Sequence, residues 1–293
     1  MCRPDVTTVA GPQPPVLSTC YISGAITSEP ITLKPLLPAA ADEIVAGFGL
    51  DELPPPPQAD RPRVILNMVS TADGHATLGG RSGPLSGPAD RALFHALRLA
   101  VDAVVAGAAT VRVERYGRII PDASRRQSRV ARGLREEPLA CIVSGRLALQ
   151  GEIPLLADPA ARVVILTPSS ASLPAGAAAA EVDYIRAARD GQLDLAASLA
   201  ELRARFDVHT LLCEGGPHLN AQLLGAGLVD ELFLSLSPLL AGGDPVSGGE
   251  ALRILAGPSF SPPIALALRG VLEHDSGLFL RYSVRPAPPD DGA

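Results

Sequence analysis

The chain reads as an α/β domain built on a mixed, mostly parallel central sheet, and three observations predict it. Apolar runs of strand length alternate with helix signals from Arg61 to Cys213, the order that lays helices over a parallel sheet. After Gly227 the pattern changes to strands with no long helix between them, which suits antiparallel pairing at one sheet edge. The composition, 47% hydrophobic and 19% charged over 293 residues, supplies the core that such a domain needs.

Val64–Val69 is a β-rich run closed by the turn dipeptide Asp73-Gly74. Gly87-Pro88-Ala89-Asp90 has the chemistry of a helix start: a cap, a proline in the first turn, an acid near the positive end. Leu93, Leu97 and Ala100 follow at helical spacing. Val101–Ala106, Leu139–Val143 and Val163–Leu166 read as buried strands, the last ended by Thr167-Pro168. Asp194 is placed to cap a helix whose Leu195, Leu199, Leu202 and Phe206 recur on one face. Val208–Cys213 is a further strand, Glu214–Pro217 a turn, and a short helix runs on to Gly227 as its C′ residue. Glu231–Pro238, Ile264–Leu272 and Leu278–Val284 are the late strands. The organised domain therefore spans residues 61–285. Residues 1–30, rich in Pro, Thr, Ser and Gly, read as a disordered tail. Residues 31–60 form a Pro-rich extension, in which Ile31–Leu53 packs on the main body and Pro54–Pro57 is a stiff spacer. Residues 286–293 read as a second loose tail.

Net charge is −6 and no long basic run stands out, so nucleic acid and anionic membranes are poor partners. Cys2, Cys20, Cys141 and Cys213 lie far apart without a C-x-x-C pair, which argues against a zinc site or a disulfide framework. No stretch has the length and apolarity of a membrane span, and the first residues lack a signal-peptide layout, which predicts a cytoplasmic protein. The arginines at 125, 126, 129, 132 and 135 read as a solvated loop, and Glu136-Glu137 as a solvated turn. His75, His95, His209 and His274 lack metal-ligand spacing and read as structural.

Two segments carry ligand chemistry. In Glu214-Gly215-Gly216-Pro217-His218-Leu219-Asn220 a strand runs through two glycines into a helix, so backbone N–H groups can approach an anion at the helix N-terminus. Close packing alone also explains such a turn. Ala106-Gly107-Ala108-Ala109-Thr110-Val111 repeats the arrangement with small side chains and one hydroxyl, under the same two readings. Neither is the G-x-G-x-x-G of a dinucleotide fold or a P-loop.

With NMVSTADG at 67–74, SGPLSGPADR at 82–91 and AGLVDELFLSLSPLLAGG at 226–243, these segments make five ordered motifs. Together they resemble the pyrimidine reductases of riboflavin biosynthesis, in the stand-alone branch typical of actinobacteria, over about Arg61–Tyr282. The resemblance implies a three-layer dihydrofolate-reductase-like fold, a homodimer joined near 231–243, and NADPH as cofactor. The implied reaction resembles that of 5-amino-6-(5-phosphoribosylamino)uracil reductase, hydride delivery to C1′ of a ribose on an aminopyrimidine. By the same resemblance Gly107, Thr110, Ser144 and Gly215, Gly216, Pro217, His218, Leu219 and Asn220 contact NADPH, with Thr167 and Pro168 bordering its 2′-phosphate. Asn67, Asp73, Ser82, Arg98 and Glu214 face the substrate; Asp73 and Glu214 are the candidate catalytic residues, and the proton comes from Asp73 or from water.

Two departures bear on the substrate. Asn67 stands where many family members have Lys. The family's D-N-P-x-L-T-x-R, which helps hold the ribose phosphate, is replaced by Glu114–Pro121, leaving Arg115 or Arg118 for that task. A reductase of dihydrofolate, a pterin or a secondary-metabolite intermediate, and a catalytically idle NADPH-binding protein, are the alternatives these departures leave.

Overall fold

A nine-stranded sheet organises the chain, and most of its strands are the apolar runs of the sequence. The computed structural model describes residues 41–50, 53–149, 153–243 and 252–285; the tails read at 1–30 and 286–293, and the first part of the extension, lie outside the described residues. In chain order the elements are α1 (Ala41–Gly47), β1 (Arg63–Thr71), α2 (Pro88–Ala100), β2 (Ala103–Gly107), α3 (Ala108–Val113), α4 (Ala123–Ala131), β3 (Leu139–Val143), α5 (Pro154–Ala157), β4 (Arg162–Leu166) and β5 (Glu181–Ile185). A small β6–β7 hairpin (Ala188–Arg189, Gln192–Leu193) leads to α6 (Leu195–Phe206), β8 (Thr210–Cys213), α7 (Pro217–Gly225), β9 (Glu231–Ser237), β10 (Leu266–His274) and β11 (Gly277–Val284).

The strand order is β10-β11-β9-β1-β8-β2-β3-β4-β5. Every pairing from β9 across to β5 is parallel. Only β11 runs against its two neighbours, so the antiparallel edge lies where the late strands predict it. Local signals set the helix ends. Gly87 caps α2 with Pro88 in the first turn, the Asp194 carboxylate accepts the Ala197 N–H at 3.0 Å, and Gly227 takes a positive φ of 65° just past α7.

Alternate residues of the inner strands feed two cores. Ile65, Val104, Ile142, Ile165 and Leu212 face Leu93 and Leu97 of α2 and Leu155 of α5. Val64, Leu66, Val105, Cys141, Val164 and Leu211 face Leu199 and Leu202 of α6 and Leu223 of α7. Helices on both faces explain why these strands are apolar throughout rather than alternating. Cys141 and Cys213 are free, buried thiols. Phe48, just after α1, is part of the first core and meets Phe233 edge to face at 5.5 Å. Arg281 donates to the Phe48 carbonyl at 2.6 Å, so this part of the extension is joined to the strands.

Three features depart from the sequence reading. The arginine-rich stretch is not a solvated loop: residues 123–131 form α4, capped by Asp122, and Arg129 is 0% exposed. Its guanidinium donates to the carbonyls of Arg98, Leu99 and Val101, the free end of α2, and to that of Arg135. Arginine is rarely interior, and here the unsatisfied carbonyls of a helix end recruit it. Glu137 is likewise engaged, accepting from Arg118 Nε at 3.0 Å and from the Ile120 N–H. Finally, β5 escaped notice because it is a half-exposed edge strand, EVDYI, without an apolar run.

Candidate functional site

The carboxyl ends of β1, β2, β3, β4 and β8 share one end of the sheet, where ligands of open α/β sheets bind. The two glycine segments meet there. The Gly107 N–H, at the end of β2, donates to the Gly215 carbonyl at 2.7 Å. Gly215 has φ +91°, a conformation open to glycine, and the Gly215–Gly216 peptide is cis. A Cβ on Gly216 would lie 2.8 Å from Thr110 Oγ1. The turn is thus bare backbone next to one hydroxyl, leading into α7 at Pro217. Ser144 and Thr167 follow β3 and β4 on the same end, both buried; Thr167 Oγ1 accepts the Ser169 N–H at 3.1 Å, and Pro168 is half-buried beside it.

Next to this turn a cleft of about 390 Å³ opens. Asn67, Ser82, Arg98 and Glu214, all assigned to substrate from the sequence, line it together. Glu214 leaves β8 just before the glycines and is 9% exposed; Arg98 comes from the last turn of α2 and is 8% exposed. They form a two-pronged ion pair, Nε to Oε1 and Nη2 to Oε2, both 2.7 Å. Burial works against the Arg98 charge, but Glu214 more than offsets it and holds the guanidinium protonated. Arg98 also donates to the Ile119 carbonyl and lies 4.1 Å over the Phe94 ring. Tyr116 Oη donates to Glu214 Oε2 at 2.5 Å; burial first, then the Glu214 charge, raise its phenol well above the usual range. Asn67 Oδ1 is buried and has no hydrogen-bond partner among the described residues.

Other sequence-assigned residues have different surroundings. Asp73 does not line the cleft. Its carboxylate accepts from the Thr71 hydroxyl, from Gly242 N–H at 2.8 Å and from Ala241 N–H, and pairs with His75 Nδ1 at 3.2 Å. The Thr71 hydroxyl, then the Gly242 N–H, hold it well below the usual carboxylate range, which makes a poor proton donor. Asp73 instead ties the turn after β1 to the loop after β9. Among the α7 residues, His218 is exposed, whereas the Leu219 side chain enters the second core. Asn220 is 0% exposed, donating to the Ile254 carbonyl at 2.8 Å and to Met68 Sδ. Both side chains are thus turned to the interior, and the Asn220 N–H donates to the Gly216 carbonyl at 3.1 Å.

Among the cleft residues that went unread in the sequence as site residues are Phe94, His95, Glu114 and Tyr116. Glu114 accepts from both the N–H and the hydroxyl of Ser82, at 3.0 and 2.9 Å. His95 lies below its ordinary pKa because of burial, then the charges of Arg125 and Arg98. The altered segment 114–121 was the available signal, although its sequence does not reveal that Tyr116 reaches Glu214. Of the two arginines considered there for phosphate, Arg115 lines the cleft, whereas Arg118 pairs with Glu137 and lines a different hollow.

Fold and site together define an α/β domain on a mixed, mostly parallel sheet, with a polar cleft beside a glycine-rich turn. The chain belongs to the RibD C-terminal domain family, which matches residues 62–277. It is 28% identical over 183 residues to the 2,5-diamino-6-ribosylamino-4(3H)-pyrimidinone 5′-phosphate reductase of Methanothermobacter thermautotrophicus, covering 62% of this chain and 81% of that one. The protein of the same name from Archaeoglobus fulgidus is 27% identical over 184 residues, covering 62% and 83%. Among solved structures, a pyrimidine reductase-like protein from Corynebacterium diphtheriae has the same fold, with a TM-score of 0.66, 24% identity, and coverage of 85% of this chain and 100% of that one.

Proposed function

We propose that this chain uses NADPH to reduce a ribosylaminopyrimidine 5′-phosphate, a step of riboflavin biosynthesis. The observation that carries the reading is the convergence of Asn67, Ser82, Arg98 and Glu214 on one cleft beside the glycine turn. The names of the two relatives, both reductases of such a phosphate, support it. The glycine turn fits a dinucleotide: a Cβ would fill the space at Gly216, so backbone can lie directly against a ligand. Gly107, Thr110 and the Gly215–His218 backbone would hold the diphosphate, with Ser144, Thr167 and Pro168 toward the adenosine end. NADPH supplies the hydride when bound.

The protein's own part is binding and orientation. The Arg98–Glu214 pair and Asn67 line the deep side of the cleft, and Arg115 supplies positive charge for the phosphate. Asp73 acts as a loop tie rather than an acid, leaving the proton to water or a cleft group. The reductase domain spans 61–285, with the segment around Phe48 completing its core. No described helix is long and apolar enough to cross a membrane. A cytoplasmic homodimer joined through β9 and the loop carrying the exposed Leu239 and Leu240 completes the reading. Light scattering tests the dimer, and a monomer refutes it.

The enzymatic test follows loss of reduced-nicotinamide absorbance with the ribosylaminopyrimidine phosphate in its diaminopyrimidinone and aminouracil forms, and with dihydrofolate in parallel. Saturable oxidation with either pyrimidine and none with dihydrofolate is expected. NADPH binding with turnover only of dihydrofolate or a pterin would move the protein to another pathway. Binding without turnover would make it an idle binder, and absence of binding would end the reading.

A further inference from the structure

The lone pairs of Glu214 can be counted. A carboxylate has about four acceptor positions, two on each oxygen. Arg98 takes one on each, through Nε on Oε1 and Nη2 on Oε2. Tyr116 Oη takes the second position on Oε2. One position remains, and it is on Oε1. The Arg98 fork alone fixes the plane of the carboxylate but leaves its two oxygens equally available. The tyrosine removes that equivalence. The same cleft holds a second unused acceptor, the buried Asn67 Oδ1.

We infer that Tyr116 is a positioning residue: it fixes the Glu214 carboxylate so that Oε1, together with Asn67 Oδ1, receives N–H groups of an amino-bearing ring. This rests on the proposed reduction of an aminopyrimidine and adds the part of the acceptor that the cleft selects, its donor-rich edge. Tyr116 suits the task because of where it is held. Its backbone N–H donates to the Val111 carbonyl at 3.0 Å, and its carbonyl accepts the Leu155 N–H at 2.8 Å. The hydroxyl therefore approaches Glu214 from a backbone anchored at α3 and α5. Its raised pKa keeps it a donor throughout the neutral range.

The charged and titratable surroundings of Glu214 can be named. Arg98 and His95 come from α2, Tyr116 from the turn after α3, and Cys213 precedes Glu214 on β8, its thiol pushed up to about 12 by burial. Asp90, Arg91, Glu114 and Arg115 line the remaining wall. None of these replaces the phenol on Oε2 in the structure.

Tyr116→Phe keeps the ring and deletes the hydroxyl. The first measurement is calorimetric binding of the ribosylaminopyrimidine phosphate at neutral pH, without cofactor. Affinity is expected to fall about tenfold, the scale of one lost hydrogen bond to a charged group. The NADPH dissociation constant should stay within about twofold, and in turnover the loss should fall on KM more than on kcat. An unchanged affinity for the pyrimidine overturns the inference. So does an equal loss for NADPH and pyrimidine, which marks a packing role. If the wild-type protein binds no aminopyrimidine nucleotide, the proposed function fails and this inference fails with it. If wild type binds and the variant binds as tightly, only the inference falls.

Discussion

Replacing Glu214 by glutamine tests whether the cleft floor is a mutually dependent charge pair. The change keeps shape and leaves Tyr116 an acceptor, but it strands the Arg98 guanidinium, 8% exposed, without its counter-ion. Removing one partner of a buried pair costs about 3–5 kcal/mol. The Ile119 carbonyl and the Phe94 ring continue to serve Arg98, so the lower end applies. In a domain of this size about 3 kcal/mol lowers Tm by roughly 6–12 °C. Thermal unfolding followed by circular dichroism reads this, with Arg98→Met and the double variant completing the cycle. In the double variant neither member of the pair is charged, and the introduced amide oxygen still accepts from Tyr116. It should therefore be more stable than Glu214→Gln alone, with a coupling of at least ~1 kcal/mol. A single variant within about 0.5 kcal/mol of wild type, the level of a neutral surface change, or simple additivity in the cycle, would refute the reasoning.

Gly216→Ala drives a Cβ to 2.8 Å from Thr110 Oγ1 and should cost about 1–3 kcal/mol; adding Thr110→Ala should recover most of it in the same unfolding assay. Phe48→Ala empties a core position against Phe233 and should cost about 3–5 kcal/mol in urea unfolding, whereas a negligible loss would detach this segment from the core. For Asp73 the sign follows from a folded pKa below the unfolded one. Its contribution is complete above the ordinary aspartate range and disappears as pH falls through the folded value. Asp73→Asn should accordingly lower the urea midpoint at neutral pH, with the gap to wild type narrowing in acid; a constant gap would show that its charge is not what ties the loop.

The strands were legible because burial on both faces leaves a continuous apolar signature, as in VVILT at 163–167 and TLLC at 210–213. Capped helices were legible for a similarly local reason: Asp194 and Gly87-Pro88 announce their own termini. Illegible elements take their form from distant partners. Nothing near Arg129 in sequence reveals that the end of α2 will enclose it, and an arginine-rich stretch ordinarily means surface. The site divides along the same line. Glu214 and Gly216 were readable because a carboxylate and paired glycines at a strand end are chemically unusual there. Tyr116 was not, because its meaning depends on a contact between the end of α3 and the end of β8. At Asp73 motif position alone did not show the partners: the N–H groups of Ala241 and Gly242 donate to its carboxylate.

Arg129 has a consequence for how the protein can vary. By gathering the last carbonyls of α2, it makes the perch of Arg98 depend on a helix some thirty residues away in sequence. Its pKa is drawn down to about 10 by burial, yet it remains a cation at neutral pH, bonded to helix-end carbonyls and favoured by the charges of Asp102 and Glu137. The stretch between α3 and β3 is thus riveted to the cleft at both ends, through Tyr116 on Glu214 and through Arg129 under Arg98. A loop that departs so far from the family pattern would ordinarily be free to drift. This one is held by contacts at Tyr116 and Arg129, so exchanging it piecemeal should cost stability that exchanging it as a block would keep.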